Sequence, residues 1–326
     1  MIKVVVIGFD GCLASALTGA ADVFRLAGVT WDRLHGESSA HLFEVQIASV
    51  QGEDILCTSG IVIKPHTALE DIDACDLVLV PTIGGRLNRV LAGAGDVVSH
   101  LQRLAASGSD LASNDTGAFL LAESGLLDGR KATTHWGFTA EFRARYPQVN
   151  LQTEKLITTD GRVFCAGGGS AWLDLVFFLI ERYHGYEIAR TTARVFVFDY
   201  GRNNQSAYSS LQARFNHTDE PVSVAQAYIQ SHYAEPILVT SLAALVNLSE
   251  RTFKRRFKQA TGLPPRSYLQ KVRIDRARRL LERSRENVDQ IALSVGYSES
   301  ASFNRLFKRE VGMSPGHYRS KFSRTV

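Results

Sequence analysis

Between residues 249 and 318 the chain carries one pattern twice. Phe253, Arg255, Phe257, Lys258, Gly262, Pro265 and Tyr268 recur as Phe303, Arg305, Phe307, Lys308, Gly312, Pro315 and Tyr318, each at an offset of 50. Immediately upstream the offset is 49, pairing Ala243, Val246, Ser249 and Glu250 with Ala292, Val295, Ser298 and Glu299. The second copy therefore holds one extra residue, expected near Ser300 and Ala301 at the start of a helix. This repeat restricts the fold sharply. Aromatic residues four apart share a helix face, so each copy needs a helix that turns its Phe pair inward and a second element that covers it.

Each copy reads as two helices and a tight corner. In the first, Leu238, Leu242 and Leu245 mark one apolar face, Asn247 and Leu248 make the corner, and Ser249 caps the next helix. In the second, Ile291, Ala292 and Val295 mark the face, Gly296 makes the corner and Ser298 the cap. Glycine suits a corner because it tolerates positive backbone angles. Arg251, Lys254 and Arg255 are left pointing outward near the start of the later helix. The expected geometry is a helix-turn-helix, whose second helix enters the DNA major groove. Charge agrees: from residue 221 onward there are 19 Lys and Arg against 8 Asp and Glu, a net +11, whereas the first 220 residues hold 18 against 25, a net −7. A basic half of this kind is what phosphate neutralisation and counterion release ask for.

With both motifs in register, SLAALVNLSERTFKRRFKQATGLPP and VDQIALSVGYSESASFNRLFKREVGMSP, joined by a basic helix over residues 273–285, resemble the tandem DNA-binding domain of AraC/XylS-type transcription regulators. The resemblance implies double-stranded DNA as partner, with two recognition helices in successive major-groove turns about 34 Å apart. Arg251, Lys254 and Arg255 are the candidates for base edges or nearby phosphates, since a guanidinium fork fits guanine O6 and N7. Ser300, Ser302, Asn304 and Arg305 match the family's reading positions, with Asn304 suited to adenine. Lys258, Lys308 and Arg309 are expected on phosphates. The family further implies an activator, contact with RNA polymerase, and a homodimer for which residues 190–200 are the candidate interface.

At 326 residues the chain is long enough for two domains. The expected division is a sensor domain over 1–190, a helix and linker over 191–220, and a DNA-binding domain over 221–326. Cys12, Cys57, Cys75 and Cys165 lack metal-ligand spacing, so reduced cytosolic thiols and no metal are expected. The first residues run straight into IKVVVIGF without a basic n-region, and the apolar run at 173–180 is too short for a bilayer, so a cytoplasmic protein is expected.

Residues 1–190 alternate strand-like and helix-like stretches. Strands are expected at 2–7, 43–49 and 76–80, helices at 14–27, 88–106, 139–146 and 171–184, and a hairpin about Asp160 and Gly161. This is an α/β domain with a parallel, flavodoxin-like or amidotransferase-like sheet, followed by an all-α domain with two helix-turn-helix motifs. Ligand sites in such sheets lie at the carboxyl ends of the strands. Two loops occupy that place: Pro81 to Gly85, whose Gly84 and Gly85 admit close backbone approach, and residues 111–119, a sharp passage from strand to helix where a nucleophile would sit in an enzyme.

The stretch LASNDTGAFLLAESGLLDGRKATTHW, residues 111–136, resembles the intracellular-protease (PfpI-like) and amidotransferase-like superfamily, in the branch fused to AraC-type DNA-binding domains. In its catalytic members a cysteine occupies the elbow, at the position that here is Asp115. A carboxylate cannot replace a thiolate in that chemistry, and Ala16 stands near the place of the expected acidic residue on the first helix. The domain is therefore expected to be a sensor and not an enzyme, without a cofactor; the alternative is an active hydrolase or lyase with a DNA-binding tail. For Asp115 two readings stand open. It caps the following helix, or it faces a pocket with Gly84, Gly85 and His135 that takes an amine-bearing or amino-acid-derived effector, with Trp136 and Trp172 as cation–π faces. The run Gly167 to Ser170 is expected to serve close packing.

Overall fold

The computed structural model describes residues 1–199, 201–202, 204–208 and 217–323. The chain divides into two compact units, Met1–Gln205 and Ser206–Val326.

In the first unit the strands are β1 Ile2–Ile7, β2 Phe43–Ser49, β3 Ile55–Leu56, β4 Val62–Ile63, β5 Thr67–Ala68, β6 Leu77–Val80, β7 Asp110–Asn114, β8 Lys131–Ala132, β9 Asn150–Leu151, β10 Ile157–Asp160 and β11 Val163–Ala166. The helices are α1 Ala14–Leu26, α2 Val29–Leu34, α3 Leu87–Ala92, α4 Gly95–Ala106, α5 Ala118–Glu123, α6 Thr139–Arg145, α7 Ala171–His184 and α8 Tyr186–Val195. Seven strands form one sheet in the order β10-β11-β7-β6-β1-β2-β5, parallel throughout except for the edge strand β10. A central parallel strand is covered on both faces, which is why residues 4–7 of β1 and Leu77–Val80 are apolar without alternation. Val4, Val6, Leu77 and Leu79 enter one core with α1, α7 and α8, whereas Val5, Ile7, Val78 and Val80 enter the other with α4, α5 and α6. The β10–β11 hairpin turns through Gly161 at φ +60°.

Two expected elements differ. The single helix over 88–106 is two helices, α3 and α4, interrupted at Gly93 and Ala94. Helix α8 stops at Val195, where Val197 takes φ +50° and is 92% exposed. Phe196 and Phe198 then fold back onto Phe177, with ring centroids 6.4 and 4.9 Å away. Within the candidate interface at 190–200, Phe196 and Phe198 are thus half-buried against the unit's own core, while Val197 stays exposed.

The second unit comprises α9 Glu220–Ser231, α10 Val239–Leu245, α11 Glu250–Thr261, α12 Pro265–Arg283, α13 Val288–Ser294, α14 Ser300–Val311 and α15 Pro315–Phe322. It has two small cores, and α12 serves both. Tyr268, Leu269 and Val272 seal the core of α9, α10 and α11, while Ile274, Ala277 and Leu281 seal that of α13, α14 and α15. The repeated glycine, proline and tyrosine have matching places in the two halves. Gly262 and Gly312 end α11 and α14 in the left-handed region, at φ +73° and +84°, with N–H groups on the carbonyls of Lys258 and Lys308. Pro265 and Pro315 open the next helices. Tyr268 and Tyr318, both buried, set their rings 5.3 and 5.6 Å from Phe257 and Phe307.

Helix α9 is capped by Asp219, which accepts from Val222 N and pairs with Arg256 on α11 at 2.9 Å. Arg256, chiefly by hydrogen bonding, holds the Asp219 carboxyl below its ordinary 3.8. A lowered pKa adds stability that is present above the unfolded value and lost as pH falls through the folded one. Asp219→Ala is expected to lower the unit's stability by about 1 kcal/mol at neutral pH, and the difference from wild type should vanish in acid. Urea titrations at several pH values check both.

Of the expected linker, Tyr200, Asn203 and residues 209–216 lie outside the described residues. Arg202, Asn204 and Gln205 are bound into the first unit, through Asp174, a backbone bridge to Lys155 and Gly168 respectively.

Candidate functional site

In the first motif α10 and α11 are joined through Asn247, at φ +53°, and the Ser249 hydroxyl accepts from Thr252 N as the cap of α11. Phe253 and Phe257 are buried, and Arg251, Lys254, Arg255 and Lys258 are exposed along the other side. The Lys254 amine is paired with Glu250 one turn back.

The second motif corrects the expectation. Gly296 makes the corner at φ +89°, but the residue at the cap of α14 is Glu299, not Ser298, and it makes no side-chain cap bond. The extra residue lies in the turn before α14 and not within the helix. The first motif places two residues between Val246 and Ser249, and the second places three between Val295 and Glu299. The longer turn carries Ser298 away from the capping position. On α14 Ala301, Arg305, Lys308 and Arg309 are exposed, while Ser300, Ser302 and Asn304 are half-buried. Ser302 donates to Glu299 at 3.2 Å and receives the Arg305 guanidinium at 3.5 Å. Ala301 thus takes the outward place that Arg251 holds in the first copy, a substitution the repeat itself encodes but that sequence reading passed over.

At the carboxyl end of β7 the chain turns sharply through Asp115, one of four non-glycine residues with positive φ among the described residues, at +56°. The turn is tight: a Cβ on Gly117 would lie 2.5 Å from the Pro81 carbonyl oxygen and 2.7 Å from that of Val80. Asp115 is 6% exposed. Its Oδ1 accepts from Thr116 N and its Oδ2 from Gly169 N, both at 2.7 Å. Asp115 lies inside the 3-10 turn that precedes α5, so its carboxylate is not an ordinary helix cap but ties the elbow to the loop after β11. Burial pushes this carboxyl up, against the opposing pull of the Gly169 N–H and of His135. The His135 ring lies over Gly168, where a Cβ would stand 1.9 Å from its Cδ2, and its Nδ1 accepts from Gly137 N at 2.9 Å.

The model of the DJ-1/PfpI family matches residues 3–182, and that of a helix-turn-helix domain matches residues 242–321. This chain belongs to the DJ-1/PfpI family, in the branch that carries an AraC-type DNA-binding domain. The regulator CdhR of Pseudomonas aeruginosa, an HTH-type transcriptional regulator, is 29% identical over 290 residues, covering 88% of this chain and 85% of that protein. The HTH-type transcriptional activator RhaS of Escherichia coli is 37% identical over 107 residues, 33% of this chain and 38% of its own length. The solved structure of a THiJ/PfpI family protein of Pseudomonas syringae shares this fold at a TM-score of 0.52 and 15% identity, covering 79% of this chain and 90% of that one. The protein is a DNA-binding transcription regulator.

In this AraC-type regulator several expected contributors to the elbow site take other duties. The N–H groups of Gly84 and Gly85 both donate to the Gly11 carbonyl, at 2.8 and 3.1 Å, so they are not free for a ligand. Their missing side chains make room for Thr58, whose Oγ1 would lie 3.0 and 3.3 Å from added Cβ atoms. Trp172 packs its indole on Gly19 of α1, and only Trp136 stands beside the site, 5.0 Å from the His135 ring. Ala16 is buried, and the acidic residue that α1 does carry, Asp22, is exposed. Conversely, the glycine run meets the site directly. Gly167 O accepts from Asp115 N at 3.0 Å and Gly169 N binds its carboxylate. A bare glycine run in sequence carried no sign of this, because its partners are remote in the chain. Among the described residues no helix is long and apolar enough to cross a membrane, and no group of three or more potential ligands is placed to hold a metal.

Proposed function

We propose that this regulator activates transcription when a small cationic or amine-bearing metabolite occupies the elbow beside Asp115 and His135, in a domain that no longer catalyses. The observation that carries this is a carboxylate held in the strained backbone position of a nucleophile, buried and desolvated. A cation set against that carboxylate would relieve its desolvation, whereas an anion would meet a like charge and two N–H donors already engaged. Gly84 and Gly85 enter such a pocket through Thr58 and the Gly11 loop, not through their own amides. Trp136 offers the cation a π face. The effector would act by binding one arrangement of the regulator more tightly than another.

Calorimetry of the full chain against a panel of primary amines and quaternary ammonium compounds tests the reading. A bound cation should lose at least about tenfold in affinity in Asp115→Ala, equivalent to one charge-assisted contact. Its affinity should also rise with pH through the Asp115 titration, since only the ionised carboxyl attracts it. Unchanged binding in Asp115→Ala would remove Asp115 from the pocket. Turnover of amides or dicarbonyls that is lost on changing Asp115 or His135 would favour the enzyme reading instead.

On the DNA side, Arg251 and Arg255 from α11, and Asn304, Arg305, Ser300 and Ser302 from α14, are the readers, while Lys258, Lys308 and the Glu250-paired Lys254 hold phosphates. Activation agrees with the likeness to RhaS over the carboxyl-terminal part; homodimerisation and contact with RNA polymerase in the cytoplasm complete the reading. Arg251→Ala should weaken a selected operator by about 1–3 kcal/mol and relax preference at one base pair. Lys308→Ala should weaken all sequences alike and flatten the salt dependence by about one phosphate. Binding titrations on matched and mismatched duplexes decide: equal losses for Arg251→Ala on both would end its role as a reader.

A further inference from the structure

We infer that Gln205 is a positioning residue for the elbow, coupling the Asp115 carboxylate to the chain that leads into the second unit. Gln205 closes the first unit, and Ser206 opens the second. Although it follows the last helix of its unit by ten residues, it is only 2% exposed. Its Oε1 accepts from Gly168 N at 3.0 Å; its Nε2 donates to Thr134 O at 2.9 Å, Thr133 Oγ1 at 3.2 Å and Lys155 O at 3.3 Å. A buried carboxamide with this many partners is fixed in place, and the buried Thr133 and Thr134 groups would be stranded without solvent if it left.

The partners of Gln205 are neighbours of the groups that hold Asp115. Gly168 lies between Gly167, whose carbonyl accepts from Asp115 N, and Gly169, whose N–H binds the carboxylate. Thr134 uses its backbone carbonyl for Gln205 and its hydroxyl for Asp115 O, at 2.7 Å. The glycine run is shaped for this arrangement. A Cβ on Gly167 would lie 2.5 Å from Gln205 Oε1, and one on Gly168 would strike His135. A second anchor lies just upstream. Arg202 donates from its Nε to the buried Asp174 at 3.0 Å and from its Nη2 to Ser170 Oγ at 3.3 Å, so the segment is fastened at a second point of the same loop.

Two backbone amides in sequence, Gly168 and Gly169, thus serve one carboxamide and one carboxylate. A ligand that draws the Asp115 carboxylate off Gly169 changes the loop that Gln205 grips. This deepens the metabolite-sensing reading and rests on it for its biological input, but the coupling itself needs no ligand to be tested.

The test is hydrogen exchange on the full chain, comparing wild type with Asp115→Ala, Gln205→Ala and the double variant. Asp115→Ala should raise exchange in the peptide covering 201–206 by roughly tenfold, the scale of one lost buried hydrogen bond, although Asp115 does not touch that peptide. Gln205→Ala should raise exchange at Gly169 similarly, and the double variant should add little to either single one. Gln205→Glu, which can still accept from Gly168 N but sets a carboxylate against the carbonyls of Thr134 and Lys155, should behave as Gln205→Ala does. If Asp115→Ala does not fold, Asp115→Asn serves in its place. Exchange at 201–206 that ignores Asp115, additive effects, or a rise spread evenly over the unit including α7 would each overturn the coupling. Failure of the amine panel with coupling intact would remove the ligand class and leave Gln205 its role.

Discussion

Phe307→Ala should destabilise the second unit by about 3–5 kcal/mol, a large share of the roughly 5–15 kcal/mol that holds a domain of this size together. The ring is fully buried in the core that α12, α14 and α15 share, with the Phe303 and Tyr318 rings each at 5.6 Å. Because α14 rests on this ring, operator affinity should fall for every sequence, unlike the base-specific loss expected of Arg251→Ala. Phe257→Ala should do the same to the first motif, where Phe253 and Tyr268 stand 5.4 and 5.3 Å away. Since α12 belongs to both cores, the two losses should be less than additive in the double variant. Urea unfolding followed by far-ultraviolet circular dichroism measures this. A loss under about 1 kcal/mol for either single variant would mean that the core collapses around the gap and that the aromatic pair is not its keystone.

Gly117→Ala is the second large effect. The added methyl would meet two backbone carbonyls, of Pro81 and Val80, at 2.5 and 2.7 Å. Backbone cannot rotate out of the way as a side chain can, so β6 and the elbow must part, at about 2–3 kcal/mol. Gly95→Ala is the control: nothing lies within 4 Å of its Cβ, and it sits at the start of α4 with an ordinary backbone. That change should be neutral or stabilising by up to about 1 kcal/mol. Thermal melts of the full chain compare the two. Equal melting temperatures for Gly117→Ala and Gly95→Ala would show that the elbow can relax, and would weaken the case that Asp115 is held under constraint.

The second unit was legible to an unusual depth because its information is local and stated twice. Phe pairs four apart, a glycine at the end of α11 and α14 and a proline at the start of α12 and α15 each act within a turn or two of helix, so spacing alone predicts them. The errors at the second motif, the cap at Ser298 and the place of the extra residue, came from carrying the first copy's register through a turn that is a residue longer in the second, and the joining helix expected over 273–285 is the longer α12. The first unit was legible as strands and helices for the same reason: β-branched runs and helical periodicity are short-range signals. What lies beyond α8 was not legible in that way, because nothing near Phe196 and Phe198 in sequence tells that Phe177 lies beneath.

What the sequence determined by itself was therefore the fold class, the tandem motif, the place of the elbow and the absence of a thiol there. Only the tertiary structure decided who answers Asp115. Its carboxylate meets Gly169, 54 residues away, Gln205 reaches Gly168 and Thr134 across the same loop, and Gly84 and Gly85 turn their amides to Gly11 instead. Hydrogen bonds of that kind join segments that only the folded sheet brings together, and a backbone N–H looks the same in every residue, so no pattern of side chains announces which carbonyl or carboxylate it will find.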